Sequence, residues 1–320
     1  MIPVFAATSS DPGPRLLEAR IPGPTLPKLP ADIRVDVNMT LVPVTVMDSF
    51  GRNVVGLQPD NFRILDGSRQ VPIASFGRQD APVSVGVVYD CSRSMTEKFK
   101  TARTAPSELY KRLNSRDESF LITVSNRADL RRKFTSEFGQ IESALLFTHP
   151  EGVTPLLDGV YLGLSQLKHA HNPRKALIVV SDGGDNNSRY TIREVMSAAL
   201  ESDTEIFVIG LYDDPQTQEE VDGPQLLATL AEKTGGVNFI IRDVNDLRGA
   251  MAKIGSTLHN QYVLGYYPPQ DATPGKYHKI KVQGWRRPAR RPCKSTPAPD
   301  ITRPDADRVL CGAGFGPARR

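Results

Sequence analysis

The hydrophobic positions change rhythm twice along the chain. Residues 37–48 (VNMTLVPVTVMD) are rich in Val and Thr, as strands are. NFRIL and QVPIASF flank Asp66-Gly67-Ser68, a hairpin-turn composition. No helical period occurs before about residue 92, so residues 33–80 are expected to be all-β. VSVGVVYD (83–90) then runs almost wholly apolar, as a strand buried on both faces does.

From there strands and helices alternate. A helix is expected over about 95–114, a strand at ESFLITVS (118–125), and a helix at PLLDGVYLGLSQL (155–167). That helix places Leu156, Val160, Gly163, Leu164 and Leu167 on one face. A strand at KALIVVSD (175–182), a helix at IREVMSAALES and a strand at TEIFVIGLY (204–212) follow. Then come a helix at GPQLLATLAEKTGG closed by glycine, a strand at VNFII, and a helix near 244–259. This alternation implies an α/β unit, with a mostly parallel sheet covered by helices on both faces. QYVLGYYP (261–268) and KYHKIKVQ (276–283) return to strand composition. Two strands alone are marginal, so they are expected to join the earlier β segment as a small β-sandwich-like domain. The expected partition is a Pro-rich lead (1–32), a first β part (33–82), the α/β domain (83–260), a second β part (261–284) and a basic tail (285–320).

The lead carries seven prolines in thirty residues, which excludes a regular helix or central strand. Met1–Ala7 is apolar but short and lacks a basic flank, a poor secretory signal; a start further upstream would hide a better one. No apolar window is long enough for a membrane span. The tail, WRRPARRPCKSTPAP onward, has no hydrophobic period and is expected to be disordered. It holds nine Lys/Arg against three Asp/Glu, whereas residues 1–284 hold 31 against 33. The body is thus almost neutral, which argues against a nucleic-acid-binding face. Three cysteines (Cys91, Cys293, Cys311) make neither a disulfide scaffold nor a zinc site.

Ligands of open parallel sheets bind beyond the carboxyl ends of the strands. Three segments put oxygen-bearing side chains there: Asp90-Cys91-Ser92-Arg93-Ser94, Gly152-Val153-Thr154, and Ser181-Asp182-Gly183-Gly184-Asp185. Alternation turns Cys91 away from Asp90, into the core. Two carboxylates and three hydroxyls form a hard donor set that favours Mg²⁺ over Zn²⁺, with Ca²⁺ or Mn²⁺ as substitutes. Such a cation keeps waters and can exchange one for an outside carboxylate. Each residue alone also fits a local role: Ser92, Ser94 and Thr154 as helix caps, the aspartates as turn formers. Capping does not account for their meeting at one edge.

Asp90-x-Ser92-x-Ser94, then Thr154, then Asp182 in a strand-terminal SDG resemble the metal-ion-dependent adhesion site (MIDAS) of von Willebrand factor type A domains. LVPVTVMDSFGRNVVGLQPDNFRIL, NPRKALIVVSDGGDNNSRYTIREV and QYVLGYYP further resemble the bacterial VWFA-related branch. The resemblance implies a Rossmann-like fold over about 83–260 and a non-catalytic, protein-binding role. Asp90, Ser92 and Ser94 would form the first metal loop, Thr154 the second-loop ligand, and Asp182 the third-loop carboxylate. A partner Asp or Glu would complete the shell. It also implies an extracytoplasmic or secreted location. The wording breaks from the branch after Gly284, as a shifted reading frame would make it. Arg93 stands where the family usually has Gly, and a guanidinium beside a divalent cation adds like-charge repulsion. Arg93 and Asp185 are the candidates for a supporting shell. The rival readings are a metal-dependent phosphohydrolase acting through Asp90, and a structural module whose metal site is vestigial. The phosphatase motif DxDx[TV] is not matched, because Ser92 stands in place of its second aspartate. Asp213-Asp214 are read as turn residues, Arg131-Arg132-Lys133 as a solvated surface, and His169/His171 as too badly spaced for a metal pair.

Overall fold

The computed structural model describes residues 39–48, 52–79, 81–182, 184–212, 218–269, 280–284 and 310–313. The first β part contributes β1 (Thr40–Met47), β2 (Phe62–Asp66), β3 (Arg69–Val71) and β4 (Ser75–Gln79). The β2–β3 hairpin turns at Gly67, whose φ of +61° suits a residue without a Cβ. QVPIASF is interrupted: Pro72 follows the last residue of β3, and pairing resumes only at Ser75.

The α/β part begins with β5 (Val83–Asp90), every residue of which is buried. Next come α1 (Thr96–Ala102) and α2 (Pro106–Tyr110). The single helix expected over 95–114 is thus two short ones. Pro106 has no N–H for the preceding turn, so helix restarts with it in the first turn. The chain continues through β6 (Glu118–Val124), β7 (Ala128–Thr135), α3 (Gly139–Leu146), α4 (Leu156–Leu167), β8 (Arg174–Ser181), α5 (Ile192–Ser202), β9 (Glu205–Leu211), α6 (Gln218–Thr234), β10 (Asn238–Ile241) and α7 (Leu247–Leu258). Helix α6 starts five residues before the expected Gly223 and carries Pro224 within it. β7 and α3 were not expected. Arg131, Arg132 and Lys133, read as solvated surface, are exposed but lie on β7, an antiparallel edge strand. Register shifts against β6 at Ser119/Leu121 and Leu121/Ile122 break the two-residue alternation there, which hid the strand.

The six strands lie in the order β10-β9-β8-β5-β6-β7, all parallel except β7. Two apolar clusters cover the faces. Val85, Val87, Tyr89 and Ile178 pack with α1, α2 and α7, while Val88, Ile122, Leu177 and Val179 pack with α4, α5 and α6. From β5 the chain runs outward to β6 and β7, then returns to place β8 on the other side of β5. This reversal opens a crevice at the carboxyl ends of β5 and β8, where open α/β sheets take their ligands.

Beyond α7, β11 (Gln261–Tyr266) pairs antiparallel with both β1 and β4, and β12 (Ile280–Gly284) pairs with β2. Flanking segments far apart in sequence therefore build two small sheets. These share a core of Val42, Val44, Ile64, Tyr262, Leu264 and Val282. Phe62, Phe76 and Tyr262 meet with ring centroids 5.2–5.7 Å apart. The tail, expected to lack structure, contributes β13 (Leu310–Ala313), antiparallel to β1. The Pro-rich lead and Asp213-Asp214 lie outside the described residues. Among the described residues no helix is long and apolar enough to cross a membrane.

Candidate functional site at the β5–β8 crevice

Asp90 ends β5 and Asp182 directly follows β8, so the two strands flanking the crevice each deliver a carboxylate to the same edge. Asp90, Ser92, Thr154, Ser181 and Asp182 are all buried, while Ser94 and Arg93 are exposed. Asp90 Oδ1 accepts the Ser92 N–H at 2.9 Å, and Asp90 Oδ2 accepts the Ser181 hydroxyl at 2.6 Å. The Ser92 and Ser94 hydroxyl oxygens lie 3.0 Å apart. Cys91 is buried in the core on the opposite side, and burial pushes its thiol pKa up.

Backbone bonds lace the three loops together. The Arg93 N–H donates to Gly152 O at 3.2 Å and the Glu151 N–H to Cys91 O at 2.9 Å, joining the first loop to the second. Asn186 joins the third loop to the second: its Oδ1 accepts the Thr154 N–H at 2.9 Å, and its N–H donates to Thr154 O at 3.2 Å. Asp185 Oδ1 accepts the Leu157 N–H in the first turn of α4 at 3.1 Å and the Ser188 hydroxyl at 2.5 Å. Asp158 accepts the N–H groups of Arg189 and Tyr190, at 2.8 and 3.1 Å. Thus Asp185 ties the third loop to α4, the helix that follows Thr154, and Asp158 anchors its return.

Helix capping does not occupy the hydroxyls. Ser92 precedes the short 3₁₀ turn Arg93–Met95 without making a side-chain cap bond, and the residue capping α4 is Pro155. The turn-former role does apply to Asp90, through the Ser92 N–H. Arg93 braces the loops with its backbone while its side chain is exposed.

The electrostatics are those of a crowded acidic edge. Burial, then the charge of Asp182, push the Asp90 carboxyl up to about 7, against the downward pull of the Ser181 and Ser92 hydrogen bonds. Two residues missed in the sequence complete this edge. Lys98, in the first turn of α1, places Nζ 3.9 Å from Asp182 Oδ2 and donates to Leu211 O at 3.1 Å. Tyr212 follows β9, and its hydroxyl is pushed up by burial and by Asp182. The available signal for Lys98 was a lysine in the first helical turn after the first loop. Ser181, Asn186, Ser188 and Asp158 work through hydrogen bonds between segments distant in sequence, which no spacing rule marks. The candidate ligand atoms at this edge are oxygens, and two buried carboxylates, one of them raised by burial and by the other's charge, suit a doubly charged hard cation. Among the described residues no group of three or more His, Cys, Asp and Glu side chains is placed to hold a metal ion.

The chain resembles known proteins over this part. Among solved structures, a von Willebrand factor type A protein from Catenulispora acidiphila aligns at 12% identity and TM-score 0.50, covering 88% of this chain and 74% of that one. BatB from Bacteroides thetaiotaomicron aligns at 18% identity and TM-score 0.45, covering 55% and 98%. The vWF domain of the type V pili tip protein Mfa5 from Porphyromonas gingivalis aligns at 13% and 0.46, covering 56% and 96%. No curated protein matches the sequence. At these identities the structures speak to fold alone. The von Willebrand factor type A domain model matches residues 84–253, more than half of the chain and the whole span from β5 through most of α7, so the chain belongs to that family.

Proposed function

We propose that Asp90, Ser92, Ser94, Thr154 and Asp182 hold a Mg²⁺ ion through which the protein captures an Asp or Glu side chain of a protein partner, without catalysis. The observation that carries this reading is the pairing of two buried carboxylates across the β5–β8 crevice, with Asp90 raised by burial and then by its neighbour's charge. A divalent cation supplies the charge that offsets both carboxylates and a coordination position that an outside carboxylate can take. The protein's residues do the rest. Ser181 and the Ser92 N–H fix the direction of Asp90, and Asn186 and Asp185 hold the Thr154 loop against the third loop. Exposed Ser94, Arg93 and Val153 form the rim that a partner meets first. With its guanidinium exposed, Arg93 adds a second positive group to attract an acidic partner. One such carboxylate, bound in a desolvated setting, dominates the affinity of an interface. An extracytoplasmic location belongs to this reading, on the resemblance of the flanking segments to the bacterial VWFA-related branch.

The experiment is a pull-down with the full chain in Mg²⁺, repeated in EDTA and with Asp90→Ala. The expected result is a partner retained only in the first case, with unchanged circular dichroism in all three. Retention that survives both treatments removes the metal from the account. Sustained hydrolysis of a phosphate ester, lost in Asp90→Asn, would establish the phosphohydrolase reading instead.

A further inference from the structure

Lys98 carries an inference that rests on the metal reading above and deepens it. Its ammonium donates to Leu211 O at 3.1 Å and lies 3.9 Å from Asp182 Oδ2. Its side chain is only 15% exposed and that of Asp182 5%, so water screens the pair weakly. Lys98 comes from α1 and Leu211 from the end of β9, so the ammonium sits on the β9 side of Asp182. Asp90 approaches from the β5 side. Among the described residues the edge holds two buried carboxylates and one tethered cation, which together carry −1 when all three are ionised. A divalent ion meets −1 rather than −2, and the loaded edge carries +1, which a partner carboxylate neutralises.

We propose that Lys98 is a built-in counter-ion that stabilises the three-loop edge in the metal-free protein and thereby lowers its affinity for the divalent cation. A tethered cation of this kind makes the site exchangeable, loading at high cation concentration and staying folded at low.

The test uses Lys98→Met, which keeps the apolar stem, and Lys98→Arg, which keeps the charge. Melting is followed in EDTA, and Mn²⁺ binding by titration calorimetry. In EDTA, Lys98→Met is expected to melt about 2–4 °C below wild type, and Lys98→Arg to recover at least half of that loss. Lys98→Met is expected to bind Mn²⁺ severalfold tighter than wild type. Metal-free melting of Lys98→Met at the wild-type temperature, or Mn²⁺ affinity no tighter than wild type, overturns the proposal. Should wild type take up no Mn²⁺, the metal reading falls, and the EDTA melt alone decides whether Lys98 is a counter-ion. Should Lys98→Met not fold, Lys98→Met with Asp182→Asn decides. Folding restored by removing the carboxylate supports the counter-ion, and its failure to return overturns it.

Discussion

Ser181 Oγ donates to Asp90 Oδ2 at 2.6 Å, joining the last residue of β8 to the last residue of β5. Both are wholly buried. With the Ser92 N–H on Oδ1, the carboxylate is held from both sides, while each oxygen keeps a second lone pair for another partner. Ser181→Ala removes a buried hydrogen bond to an acidic group, at a cost of about 1–3 kcal/mol. Urea unfolding should show that loss, and Mn²⁺ titration a weaker but still present binding step.

Gly152 precedes the Thr154 loop with φ +76°, and a Cβ there would lie 2.2 Å from Asn126 Oδ1. Gly152→Ala therefore combines left-handed backbone strain, about 1–3 kcal/mol, with displacement of Asn126. Because Gly152 O accepts the Arg93 N–H, the disturbance reaches the first loop. Thermal unfolding should fall and Mn²⁺ affinity should weaken together. Gly56→Ala is the control: its φ is +83° but nothing lies within 4 Å of the added Cβ. It should lower stability and leave Mn²⁺ binding at the wild-type value.

The five parallel strands of the sheet were legible because strands buried on both faces read as apolar runs, as VSVGVVYD and KALIVV do, and α4 to α7 by their helical period; α3 was not. The flanking strands were legible as Val- and Tyr-rich segments with no helix to cover them. What escaped was local. β7 presents Arg131-Arg132-Lys133 at an irregular register, so its sequence looks like surface. At the site, Asp90, Ser92, Ser94 and Asp182 could be placed from strand ends, and Thr154 from the start of the helix that follows it. Lys98 could not, since its role depends on how α1 is turned toward Leu211 and Asp182. Asn186 and Ser188 likewise act through the path of a loop that composition does not determine.

Glu205 begins β9 and receives the Gln261 side-chain N–H at 2.7 Å, and Gln261 in turn bonds to Arg174 and Thr45. This chain of contacts joins the amino end of the parallel sheet to β1 and β11. Burial pushes the Glu205 carboxyl up to about 6, with Arg174 and Gln261 opposing. Its folded value lies above the unfolded value of about 4.3. Its stabilising contribution is thus complete below pH about 4.3 and lost as pH rises through about 6, a change of about 2 kcal/mol. Glu205→Gln keeps an oxygen acceptor for Gln261 and cannot ionise. Urea midpoints of wild type, compared with this variant between pH 4 and 7, should lose that slope in the variant. Identical slopes would place the titration elsewhere.

Oxygen donors from three loops are proposed to hold one hard cation between β5 and β8. Titration calorimetry of the full chain with Mn²⁺ tests it most directly, comparing wild type, Asp90→Ala and Thr154→Ala. One ion per chain is expected in wild type, a severalfold loss of affinity in Thr154→Ala, and no binding in Asp90→Ala. A wild-type protein that takes up no ion, or an Asp90→Ala variant that binds as wild type does, contradicts it.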